Sequence, residues 1–278
     1  MATMPSPEPR STPTHEHNRR AWDARARAEQ RFAKPIGDAE FSAALKKLDA
    51  DGWLEGALRG RRVLCLGSGG GRQSVLYAAA GGHVTVVDIS ADMLDLDRQA
   101  AAARGLLVRP VQASIDDLSA LAAAEFDVVV QPVSTCYVPE VTAVYREVAR
   151  VTAPSGLYIS QHKQPASLQA DVRPSPRGGY EINQSYFRTG PLPPVTGSSH
   201  REEGTLEFLH RWEDLLGGLC RAGFVIEDLV EPLHAKPDAE RASFAHRSEF
   251  LPPYVRIKAR RVGGNSEGIA RSAIVISK

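Results

Sequence analysis

Cysteine is scarce in this chain of 278 residues, with three in all, at positions 65, 136 and 220. No two of them have a metal-ligand spacing, and the three form no disulfide framework. The expectation is a reducing, cytoplasmic setting and no bound metal. Charge imbalance is also lacking: 34 basic residues face 33 acidic ones, for a net charge of +1. That balance excludes a general electrostatic attraction to nucleic acid or to an anionic membrane. No stretch approaches the roughly 18 apolar residues of a membrane helix, and there is no internal repeat. The opening MATMPSPEPRSTPTHE has no apolar core of the kind a signal peptide needs and reads as a disordered tail over 1–17.

What the chain does have is core-forming material, with 42% hydrophobic residues. At this length that is enough for one large α/β domain or two small ones. Helical patterning begins at Asn18, with Trp22, Ala26 and Phe32 as its apolar contacts, and a second amphipathic helix is expected near 38–57. From Arg62 strands and helices alternate. RVLCL (62–66), HVTVVD (83–88), 107–112, FDVVVQ (126–131) and LYISQ (157–161) read as strands. Helices are expected near 72–80, after Ser90, at 116–123 and at 139–152, where APSG ends the last one. This alternation predicts right-handed βαβ units and a parallel sheet covered on both faces.

Residues 163–204 break the pattern with many Pro, Gly and Ser residues plus Tyr180, Tyr186 and Phe187, and read as a lid over a ligand. A strand at TLEFLHR (205–211), a helix at 212–222 and strands at 224–230 and 254–259 come after it. Residues 262–278 read either as an extension or as an edge strand.

The chemistry concentrates at VLCLGSGGGRQSV (63–75), a buried strand that turns on glycines into a helix. It is not a GxxxxGK[ST] phosphate loop, because no Lys-Ser or Lys-Thr follows. The third glycine of GxGxxG would fall on Arg72. Asp88 ends the next strand, 21 positions after Gly67, at the carboxyl edge beside the glycine turn. A carboxylate there accepts hydrogen bonds from a ribose. NAD(P) and S-adenosylmethionine both fit that description. An NAD(P)-dependent oxidoreductase and a noncatalytic cofactor-binding protein are therefore the alternatives to a transferase. The oxidoreductase reading also asks for a catalytic Tyr/Lys pair, which is not found.

The order and spacing of LGSGGG (66–71), VTVVDIS (84–90) with Met93, QASIDDL (112–118), FDVVVQPVSTCYV (126–138), VYREVARVTAPSGLYIS (144–160) and LHRWEDLLGGLCRAGF (209–224) resemble the class I S-adenosylmethionine-dependent methyltransferases. The nearest branch is similar to the small-molecule enzymes of quinone biosynthesis. The resemblance implies a Rossmann-like, doubly wound α/β fold over 18–261. Its sheet would be mostly parallel and seven-stranded, with helices on both faces and the lid inserted after strand five. It implies that Gly67, Ser68 and Gly69 face the cofactor through their backbone and that Asp88 holds the ribose. Ile89 and Met93 would pack on adenine, Ser114 and Ile115 would lie at its far edge, and Gln131 would stand near the methionine moiety. It also implies methyl transfer to O, N or electron-rich C of a small molecule, in secondary metabolism or on a cofactor precursor. Cys65 departs from the pattern, which usually has an acid there.

Methyl transfer from a sulfonium chiefly needs alignment of a nucleophile, with a general base where the acceptor must lose a proton. His162, at the end of strand five, is the first candidate for that base, against a structural role on lid backbone. His210 matches the His-Arg pair that precedes the last helix in the family. Tyr137 is a pocket wall or a hydroxyl donor.

Overall fold

The computed structural model describes residues 12–30, 32–54, 56, 58–67 and 70–262. Two helices come first, α1 (Pro13–Arg27) and α2 (Asp38–Leu45). An alternating series then runs β1 (Arg62–Leu66), α3 (Ser74–Ala79), β2 (His83–Asp88), α4 (Ala91–Ala102), β3 (Val108–Gln112), β4 (Phe126–Gln131), α5 (Val141–Val151) and β5 (Thr152–Lys163). The second part adds α6 (Pro165–Gln169), a π-helical turn (Glu213–Gly217) leading into α7 (Gly218–Arg221), β6 (Phe224–Val230), α8 (Phe244–Phe250) and β7 (Tyr254–Arg261).

The seven strands form one sheet in the order β3-β2-β1-β4-β5-β7-β6. The first five are parallel, and β7 runs antiparallel to both its neighbours. Strand alternation divides the core between the two faces. Leu64, Leu66, Val129 and Tyr158 pack with Tyr145 and Val148 of α5 and with Leu219 of α7. Val63, Cys65, Val86 and Val128 pack with Tyr77 of α3 and Leu94 of α4. This is the doubly wound, mostly parallel architecture that the sequence implied.

Several local expectations change. Helix α1 starts at Pro13, five residues before Asn18, because Thr12 caps it: the Thr12 hydroxyl accepts from the His15 N–H at 3.2 Å and the His15 ring accepts from the Thr12 N–H at 3.3 Å. The described part of the tail expected over 1–17 is thus helical from residue 13. Helix α2 stops at Leu45 instead of reaching 57, and 116–123 forms turns rather than a helix. TLEFLHR joins no strand. Its backbone bonds go to loops instead, with the Phe208 N–H donating to the Cys136 carbonyl at 2.7 Å and the Glu207 carbonyl accepting from Leu192 at 2.7 Å. Of the segment 262–278, only Val262 lies within the described residues.

Two glycine conformations shape the carboxyl edge of the sheet. Gly67 has φ +55°, and a Cβ there would stand 2.8 Å from Ser134 Cβ. Gly71 has φ +76°, and its Cβ would stand 2.8 Å from the Leu96 carbonyl oxygen on α4. Glycine lets the turn fold tightly between the end of β4 and the body of α4.

Candidate active site

A cavity of about 440 Å³ opens at the carboxyl edge of the parallel strands, within the usual range for small-molecule sites. The sheet order gives it two halves. One lies over β1–β3 and the other over the end of β5 and the start of β7.

The first half is walled by Gly67, Asp88, Ile89, Met93, Ser114 and Ile115. Asp88 ends β2, and one carboxylate oxygen accepts from the Ser90 N–H at 2.9 Å. Burial pushes the Asp88 carboxyl up to about 7; the Ser90 N–H opposes the rise, and the charges of Asp97 and Asp23 add to it. Ser90 also caps α4, accepting from the Met93 N–H at 3.1 Å, while its own hydroxyl donates to Asp23 of α1 at 2.6 Å. Arg72, which occupies the third fingerprint position, pairs with Glu40 of α2 and lies on the cavity wall.

Helix α1 closes over this half like a strap. His15 pairs with Asp116 at 3.0 Å and Arg27 with Asp92 at 2.7 Å. Asn18 is buried and makes three bonds to backbone. Its amide donates to the Tyr137 and Leu206 carbonyls at 2.9 and 3.0 Å, and its side-chain oxygen accepts from the Leu206 N–H at 2.8 Å. Trp22 stands edge-on to Tyr137 at 5.4 Å and lines the cavity with Phe32.

The second half is walled by Gln161, Glu202, His234, Phe244, Tyr254 and Arg256. The antiparallel register explains their meeting: Gln161 lies opposite Arg256 and Lys163 opposite Tyr254, so the start of β7 meets the end of β5. Beneath this wall lies a charge cluster. Lys163 Nζ donates to Glu202 at 2.6 Å and to Glu207 at 2.5 Å, Arg201 pairs with Glu207, and Tyr137 donates to Glu202 at 2.7 Å. Two cations and two anions thus neutralise each other out of water. Burial pushes the Glu202 carboxyl up, but the Lys163 charge and the bonds from Lys163 and Tyr137 outweigh it and hold the group low. Burial first, then the Glu202 charge, pushes the Tyr137 hydroxyl up, so it faces the cavity as a neutral donor.

His162, the first candidate base, and His210, of the His-Arg pair, both stand outside the cavity wall. His162 is 1% exposed, with Nδ1 bonded to Thr135 Oγ1 and Nε2 to Ser160 Oγ, both at 2.8 Å. Burial, helped by His210, lowers it to about 3, so it is a neutral core group with both nitrogens engaged. His210 is also buried and donates to the Thr135 carbonyl at 2.9 Å; burial pushes it down against the pull of that carbonyl. Both hold the loop after β4. Gln131 likewise faces inward: it donates to Ser134 Oγ at 2.9 Å, and its side-chain oxygen accepts from Tyr158 at 2.5 Å, so it sets Ser134 against Gly67. Ser68 and Gly69 lie outside the described residues. Cys65 is fully buried among core side chains.

Sequence reasoning missed the contributions of His15, Asn18, His234, Phe244, Tyr254 and Arg256. For Tyr254 and Arg256 a signal existed, since they open a strand that was recognised, but its antiparallel direction was not. His234 sits in EPLHAKPDAE, which has no periodicity to read.

Known proteins share this architecture. Residues 64–160 match a family described as a methyltransferase domain. The chain is 32% identical over 229 residues to an uncharacterized methyltransferase, YbaJ, of Bacillus subtilis (strain 168), covering 77% of this chain and 89% of that protein. A solved S-adenosylmethionine-dependent methyltransferase of Mesorhizobium loti superposes with a TM-score of 0.62 at 23% identity, over 80% of this chain and all of that one. Geranyl diphosphate C-methyltransferase of Streptomyces coelicolor A3(2) gives a TM-score of 0.60 at 16% identity, over 91% and 99% of the two chains.

Proposed function

Because the chain belongs to the class I S-adenosylmethionine-dependent methyltransferases, we propose that the half of the cavity over β1–β3 holds the nucleoside of that cofactor and the half over β5 and β7 holds the methyl acceptor. The observation that carries the assignment is Asp88, a carboxylate at the end of β2 that lines the cavity between the glycine turn and the apolar side chains of Ile89, Met93 and Ile115. Two ribose hydroxyls donating to it would satisfy an otherwise costly buried charge.

When bound, S-adenosylmethionine supplies a methyl group already activated on a sulfonium. The protein's share of the work is then alignment and exclusion of water, which contributes up to roughly 7–11 kcal/mol in well-oriented reactions. Helix α1 with Trp22 covers the donor side, and the lid residue Glu202, which accepts from Tyr137, lines the acceptor side. The acceptor is a small molecule methylated at O, N or electron-rich C. His162 and His210 position the β4 loop and take no proton.

Calorimetry with S-adenosylhomocysteine and, separately, NADH tests this reading. Binding of the first and not of the second is expected. Tight NADH binding without S-adenosylhomocysteine binding would overturn it.

A further inference from the structure

The second half of the cavity contains a titratable side chain of unusual freedom. Each histidine of the core and the strap has at least one ring nitrogen bonded: His15 by Asp116, His17 by the Gly204 carbonyl, His162 by Thr135 and Ser160, His200 by Ser167 through Nε2 with its Nδ1 buried away from the cavity, and His210 by the Thr135 carbonyl. His234 differs. It lines the cavity, and its ring nitrogens have no hydrogen-bond partner among the described residues. It is nevertheless held in place. Phe244 and Tyr254 each stand edge-on to it, with ring centroids 5.5 Å away and interplanar angles of 71° and 80°. Such contacts fix the plane of a ring without using its nitrogens. Phe244 and Tyr254 are in turn backed by the buried ring of His200, at 6.4 and 6.1 Å.

The groups facing His234 favour its neutral form. Burial lowers it, and the positive charge of Arg256 on β7 lowers it further. Arg256 is itself anchored by Asp51 at 2.8 Å and Gln161 at 3.0 Å. Glu202, on the same cavity, is held by Lys163 and Tyr137, and His200, behind the aromatic wall, is kept neutral first by burial and then by Lys163, Arg247 and Arg201. A neutral imidazole with a free nitrogen, on an aromatic wall opposite the donor half, has the properties of a proton acceptor.

We propose that His234 is the general base of the acceptor subsite, and that this subsite takes a planar aromatic molecule through a hydroxyl group, stacked against Phe244 and Tyr254. The inference rests on the methyltransferase reading of the cavity. In the step, the acceptor O–H bond breaks and its proton passes to the free imidazole nitrogen. The oxygen electron pair forms the new C–O bond to the methyl carbon as the C–S bond breaks and its electrons return to sulfur. The imidazolium then loses its proton to water.

The test uses the full chain saturated with S-adenosylhomocysteine and two probes, 2-naphthol and 2-methoxynaphthalene, which differ by the one donor proton. Calorimetry should show 2-naphthol binding about tenfold more tightly, the size of one hydrogen bond made in a partly desolvated site. His234→Ala should abolish that preference while leaving S-adenosylhomocysteine affinity within about twofold. Phe244→Ala should weaken both probes about equally. A preference that survives His234→Ala would overturn the proposal, as would failure of the wild-type protein to bind either probe at millimolar concentration. Loss of S-adenosylhomocysteine binding by the wild-type protein would instead strike the underlying reading, so the two failures are distinguishable.

Discussion

The two halves of the cavity are built by opposite strategies. The half over β1–β3, the proposed donor side, draws its wall residues from the ends of adjacent parallel strands: the glycine turn after β1, Asp88 at the end of β2 and Ser114 after β3, all within residues 67–115. The half over β5 and β7, the proposed acceptor side, collects Gln161, Glu202, His234, Phe244 and Arg256 from four separate segments. Parallel βαβ units repeat one local grammar, so their strand ends meet at one edge without long-range help. The acceptor half depends on an antiparallel pairing and on a lid whose backbone bonds are individual. A donor site built this way can stay constant while its acceptor site varies.

The largest effect expected from breaking this arrangement lies beneath the acceptor half. Lys163→Met leaves Glu202 and Glu207 buried without their shared cation, and stability should fall by about 3–5 kcal/mol, read as a lower denaturant midpoint. If the midpoint holds, the cluster is not what supports that wall.

Next is the donor half itself. Asp88→Ala should weaken S-adenosylhomocysteine binding about 100-fold in calorimetry, the cost of two charge-assisted hydrogen bonds, with little change in the melting temperature. An unchanged affinity would remove the ribose assignment and with it the division into halves.

On the same assignment, the Asp88 carboxyl should also make donor affinity pH-dependent. Its value in the free protein is raised to about 7, and donated hydrogen bonds from the ligand favour the ionised form. Binding below that pH therefore releases a proton. Affinity should fall about tenfold per unit as pH drops below about 7 and level off above it. Asp88→Asn should flatten the profile; a wild-type profile that is flat from about pH 5.5 to 8.5 would contradict the carboxylate's role.

A smaller effect is expected at the strap. Asn18→Ala removes three bonds between α1 and the backbone of Tyr137 and Leu206. Amide exchange in α1 should speed up, and S-adenosylhomocysteine affinity should fall by about tenfold or less. Unchanged exchange would mean that the pairs made by His15, Asp23 and Arg27 hold the helix alone.

The same contrast decides what could be read from the residues in order. The glycine turn and Asp88 were legible because strand, turn and acid follow each other within one βαβ unit. His162, weighed as a base against a structural role, lies off the cavity for a matter of parity. It does lie at the end of β5, but successive side chains on a strand face opposite sides. Gln161 faces the cavity, and His162 packs edge-on against Tyr145 of α5, 6.2 Å away. Pattern alone locates the end of a strand and not which face stays open. His234 was invisible for another reason: its neighbours Phe244 and Tyr254 stand ten and twenty positions further along the chain, and the Pro-containing stretch around His234 has no periodicity.

That connection, residues 231–253, joins two antiparallel neighbours, β6 and β7, and carries both His234 and Phe244. Because it begins and ends on adjacent strands, its contents are exchangeable in the manner of an antibody loop on its framework. A breeder of new acceptor preferences would randomise this cassette and leave the parallel strands and their turns alone.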